Sequence, residues 1–176
     1  MMSNDKDQRE PQLTSVASVL VALGSSDELV QWHGARAAGN GKVTEAIPSL
    51  MDLLEHSAED LGDTNVRVIA AWALAQFGDD ITPKVLEMTM SRNPLARAGA
   101  ADVLGLLARR EFVPVLREML KDSSLEVRLW ASLGLAKIGQ PAVPVLEEAL
   151  KTADKEDQVL IGDALAKIAS NRFLVK

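Results

Sequence analysis

With 176 residues, of which 47% are hydrophobic, 25% charged and 3% aromatic, the chain has the composition of a folded protein whose interior is built from Ala, Leu, Val and Ile. It has no cysteine, which excludes disulfides, thiolate catalysis and cysteine-held metals, and its net charge of −6 opposes a phosphate backbone. No apolar run approaches the ~20 residues that cross a membrane, and the opening "MMSNDKDQRE" lacks a signal-peptide layout, so the sequence predicts a cytoplasmic protein with residues 1–10 as a disordered tail.

In chain order, Pro11 to Leu23 predicts a first helix. A repeating phrase then begins. Asp27, Asp63, Asn93, Ser124 and Asp154 stand before apolar, small-residue runs at intervals of 36, 30, 31 and 30. All five are residue types whose side-chain oxygens cap helix N-termini. Pro48, Pro83, Pro114 and Pro144 follow the first four caps by 20 or 21 residues.

Each unit therefore reads as two helices. Helix A is rich in Ala and Gly ("VRVIAAWALAQFG" from Val66, "VRLWASLGLAKIG" from Val127), which lets neighbouring helices approach closely. Helix B starts near the Pro, whose missing amide is not needed in a first turn. It carries apolar residues at Pro plus two, plus five and usually plus six, as in Leu116, Met119 and Leu120.

The predicted count is a lone helix B, four full units near 27–62, 63–92, 93–123 and 124–153, and a final helix A over 154–170. All of 11–176 is expected to form one domain. The stretch "HSAEDLG" (56–62) accounts for the longer first interval. The segment "GARAAGNGKVT" (34–44) has phosphate-loop glycines but the wrong spacing, because Arg36 and Val43 stand where Gly and Ser or Thr are required. Its Gly-Asn-Gly is expected to be the turn between helix A and helix B.

The "VRxxAAxAL" phrase at Val66, its echo at Val127, and Gly-x4-Pro (Gly78–Pro83, Gly139–Pro144) resemble the HEAT repeat, most closely the phycobilisome-lyase-type HEAT-like repeat. The resemblance implies an all-α fold, a right-handed α-solenoid of helix pairs with the B helices on the concave face. Arg67, Arg97 and Arg128 match the family's recurring Arg, with Gln31 and Gln158 in the outer copies. In the family an Asp six residues before that Arg often joins a polar ladder between units; here only Asp122–Arg128 has the spacing.

Catalytic chemistry has little to work with. His33 and His56 lie in different elements without ligand-spaced neighbours, so neither a metal nor another cofactor is expected. There is no Gly-x-Ser-x-Gly elbow. An enzyme with HEAT-like repeats, deoxyhypusine hydroxylase, holds iron through His-Glu pairs, and this chain has no His-Glu dipeptide.

The feature that stands out is an acid four residues after each Pro: Asp52, Glu87, Glu118 and Glu148. The apolar positions on either side point that column to solvent. With the resemblance, it becomes a concave stripe suited to a basic or helical segment of a partner protein. Trp72 shares its column with Arg36, Asp102 and Asp163, which predicts exposure and makes it a candidate interface anchor, whereas Trp32 and Trp130 sit in packing columns. At the C-terminal end, Phe173 and Leu174 either fold over the last helix or leave an apolar edge that pairs end to end with a second copy, giving a homodimer.

The sequence thus favours a non-enzymatic protein-binding scaffold. The alternative, a phycobilin lyase-like subunit acting on a bilin or its carrier protein, rests on the resemblance. A nucleic-acid role would have to use Arg92, Arg97, Arg109 and Arg110 against the acidic net charge.

Overall fold

A computed structural model describes residues 13–55 and 65–171. The predicted tail (1–10), the 56–62 stretch, Asp63, His56, and the terminal Phe173 and Leu174 fall outside the described residues.

Among the described residues ten α-helices follow in order: α1 Val16–Leu23, α2 Glu28–Gly41, α3 Ile47–Leu53, α4 Val66–Ala75, α5 Thr82–Met88, α6 Pro94–Leu107, α7 Val113–Met119, α8 Leu125–Ile138, α9 Val143–Leu150 and α10 Lys155–Asn171. The even-numbered helices are the expected A helices and the odd-numbered ones the B helices. Together they form an all-α solenoid of helix pairs. Among the described residues no helix is long and apolar enough to cross a membrane.

The Pro column does what its chemistry dictates. Each of α3, α5, α7 and α9 is entered through a single 3₁₀ turn and has Pro in its first turn. Two residues further on, Leu50, Val85, Leu116 and Leu146 are all fully buried between the layers. One apolar residue per B helix thus pins it to the A helices behind.

The caps hold at Asp27, whose carboxylate accepts from the Leu29 amide at 2.9 Å, at Asn93, which accepts from Leu95 at 3.0 Å, and at Asp154, which accepts from Asp157 at 2.9 Å. Two expectations change. Helix α4 is capped by Asn65, whose side chain accepts from the Arg67 amide at 2.9 Å, because Asn65 is the extended residue directly before the first helical one. Ser124 sits at the N-cap position of α8 but makes no side-chain cap bond; instead its own amide donates to Asp122 Oδ1 at 2.9 Å. The first helix also starts later than Pro11, at a reciprocal Ser15–Ser18 capping box.

Gly-Asn-Gly is not the turn. Helix α2 runs through it to Gly41, and the chain reverses at Lys42, in the left-handed region at φ 47°. Gly39 serves packing instead: a Cβ there would lie 2.8 Å from Ala73 Cα of α4. The same closeness recurs between α6 and α8, where a Cβ on Gly105 would overlap Gly134 Cα. At these two junctions the A helices are therefore in backbone contact.

The B helices are not. They have 7 or 8 residues each, pack chiefly on the A layer and meet one another at few points. A stack whose A helices touch while its B helices stand apart curves toward the A side. This reverses the expectation that B helices line the concave face.

Equal substitutions should then have opposite effects. Gly105→Ala forces a side chain into the α8 backbone and should lower stability by about 1–3 kcal/mol. Gly162→Ala, in α10 with nothing within 4 Å of the new Cβ, should raise it by about 0.5–1 kcal/mol through helix propensity. Urea unfolding of the two variants beside the parent checks both signs.

Candidate functional site

All four column acids are exposed, on the outer face made by the B helices. They differ in their neighbours. Arg117 of α7 donates to Glu148 of α9 at 3.0 Å, and Lys121 donates to Glu118 at 2.9 Å, one turn along. The Lys121 hydrogen bond holds the Glu118 carboxyl below its ordinary range. At the other end of the column, Glu87 stands in the wall of a groove.

That groove, about 600 Å³ in volume, runs between α3 and α5 and is lined by Pro48, Met51, Lys84, Glu87, Met88, Met90 and Ser91. A second one, about 460 Å³, lies where α7, α9 and the start of α10 meet, with Arg117, Lys121, Glu148, Asp154 and Asp157 among its walls. Both exist because the B helices stand apart.

The inner face is closed at its centre. Every residue of α6 from Ala98 to Gly105 is buried. Asp102, expected on the surface with its column, is 4% exposed and pairs with Lys137 of α8. Burial pushes its carboxyl above the ordinary range, with Lys137 opposing. Arg67 of α4, 3% exposed, reaches past α6 to α8, with its guanidinium 4.8 Å from the centre of the Trp130 ring. Its Nη1 lies 2.7 Å from Glu126 Oε1, an ion pair by distance whose N–H bonds are not aligned for a hydrogen bond. Two A helices thus fold over the one between them.

Trp72 is half-buried rather than exposed, its ring edge 2.9 Å from where a Cβ on Gly39 would sit. Trp130 is buried, as its packing column implies. His33 is half-buried and meets Trp32 edge to face at 5.2 Å. In the basic group, Arg97 is bound by Asp122, and Arg109 pairs with Asp79 and, at 3.6 Å, with Glu111, so the four arginines do not present one cationic surface.

A polar ladder exists, in a register other than the six-residue spacing expected from the sequence. Arg97 grips Asp122, at the far end of its own unit, through two bonds of 2.7 Å and donates to the Ser91 carbonyl at 2.8 Å. Arg128 repeats this one unit on, with Asp157 at 2.7 Å, Glu156 at 2.9 Å and the Asp122 carbonyl at 3.0 Å. The expected Asp122–Arg128 contact is therefore to the Asp122 backbone, because Arg97 occupies the carboxylate. The readable signal was an acid 25 to 29 residues after the Arg. Arg67 has no acid at that distance in its sequence, and takes Glu126 two units away.

The HEAT repeats model matches residues 16–92 and again 82–166, and the chain belongs to the HEAT repeat family. Its fold is shared with the complex of CpcE and CpcF of phycocyanin lyase from Nostoc sp. PCC7120, similar over 97% of this chain and 70% of that one, with 21% identity and a TM-score of 0.56. An engineered protein is similar over 88% of this chain and 79% of its own, with 25% identity and a TM-score of 0.44. No curated protein matches the sequence.

The ladder has a pH signature. The Arg97 hydrogen bond holds Asp122 below its ordinary 3.8, so the stability it contributes is complete above that value and lost as pH falls through the lower, folded-state range. Asp102, raised by burial, acts in the opposite sense: its ionisation weakens the fold as pH climbs past the carboxylate range. Asp122→Asn should lose about 1–3 kcal/mol at pH 7, the scale of hydrogen bonds to charged groups. Urea titrations at several pH values should show that difference shrinking below pH 3.8.

Proposed function

We propose that the protein is a non-enzymatic scaffold that binds a basic or helical segment of a partner protein along its outer face, through Asp52, Glu87, Glu118 and Glu148. The observation that carries this reading is one exposed acid at the same place on four successive B helices, on the layer whose helices stand apart and leave grooves. The closed centre of the inner face adds weight, since α6 offers a partner nothing there. One structural neighbour is itself a complex of two proteins, which accords with a role in assembly.

The acids contribute unequally. A cation on the partner must compete with Arg117 for Glu148 and with Lys121 for Glu118, whereas Glu87 has no such bond among the described residues. Surface attraction of this kind weakens as salt screens it. The likeness to phycocyanin lyase also supports a second reading, a subunit that handles a bilin or its carrier protein. Titration with a bilin would then shift the pigment's absorption band, and an unshifted band removes that reading.

The test is affinity capture from cell lysate, with the parent beside a variant carrying Lys at all four positions and circular dichroism to show that it folds. A partner held by the parent, released by salt and lost by the variant is the expected result. A partner held equally by both overturns the acid column as the binding face.

A further inference from the structure

We propose that the groove between α3 and α5 is the anchoring site for an amphipathic helix with an apolar face of long side chains and a Lys or Arg placed to meet Glu87. This rests on the scaffold reading above and narrows it to one groove and one class of partner.

Three of the chain's six methionines, Met51, Met88 and Met90, converge on this groove with Pro48. Met90 is 81% exposed at its lip. A methionine thioether is unbranched and polarizable, and methionines recur where a surface must adapt to helical segments. The groove is shaped for such an occupant because α3 and α5 barely touch, leaving an open channel between neighbouring helices rather than an enclosed cavity. A partner helix lying in it presents residues at i, i+3, i+4 and i+7 to the methionines.

Charge selects the sign of the partner. Glu87 stands in the wall with Lys84, and it makes no hydrogen bond or ion pair among the described residues, which leaves its carboxylate to a cation on the partner. The comparable groove at α7, α9 and α10 has its column acids already bonded, Glu148 to Arg117 and Glu118 to Lys121. Of these two grooves, the one between α3 and α5 joins apolar anchors to an acid without such a bond.

The methionines also supply the readout. The full chain, labelled with carbon-13 at its methionine methyls, is titrated with a synthetic helical peptide of Leu at i, i+3, i+4 and i+7 and Lys elsewhere, and with a twin carrying Glu in place of Lys. The expected result is methyl shifts at Met51, Met88 and Met90 with the Lys peptide. Met119, 7% exposed in α7, stays still as the internal control. The Glu twin leaves all of them unmoved. Met90→Ala and Glu87→Gln, both at exposed positions, should each weaken the affinity on the order of tenfold, a change of about 1.4 kcal/mol.

Equal shifts with both peptides overturn the charge selection, and with it the proposal. Shifts that grow with protein concentration and no peptide make a second copy the occupant, which also overturns it. If the four-acid variant loses its captured partner while the groove methyls never move, the scaffold reading stands and this groove falls.

Discussion

The contact between Gly105 of α6 and Gly134 of α8 sets the geometry of the middle of the molecule. With no side chain on either residue, two helix backbones come together at a distance that any Cβ would forbid. The same choice is made between α2 and α4, where Gly39 faces Ala73. An A layer packed this tightly must be the inner wall of the curve, and the shorter B helices, which have no such contacts, must spread. The open grooves on one side and the closed centre on the other are two results of one packing decision.

Much of this was legible in the residues. The Pro column marks the start of every second helix because proline's chemistry admits few other places, and the residue two positions on is buried in all four units. The Asp27, Asn93 and Asp154 caps follow from local hydrogen bonding. These features were readable because each depends on a few neighbouring residues.

Beyond the local shifts at Asn65, Ser124 and the start of α1, the differences concern relations between units. Asp102 has the look of a surface acid, and only the convergence of α4 and α8 over α6 puts it in the interior. Gly-Asn-Gly has turn composition, yet its first glycine is there for a neighbouring helix. The arginine ladder runs forward 25 to 29 residues, to the end of the same unit from Arg97 and into the next from Arg128, so the six-residue spacing does not reveal it. The direction of curvature depends on the relative spacing of two layers, which no single repeat encodes. The candidate site is therefore half legible: its acids could be aligned by column, but the grooves beside them and the ion pairs at Glu118 and Glu148 could not.

Repeat arrays are commonly pictured as chains of units in which each touches only its neighbours, so that units can be added or removed at will. The reach of Arg67 across α6 to Trp130 and Glu126 departs from that picture. It joins three successive A helices into one cooperative block, in which the outer two are partners only at their present separation. Duplicating or deleting a unit inside the block would pull the guanidinium from its ring and leave a charge buried without company. The Arg67 contacts thus tie the centre of the array to its present number of units.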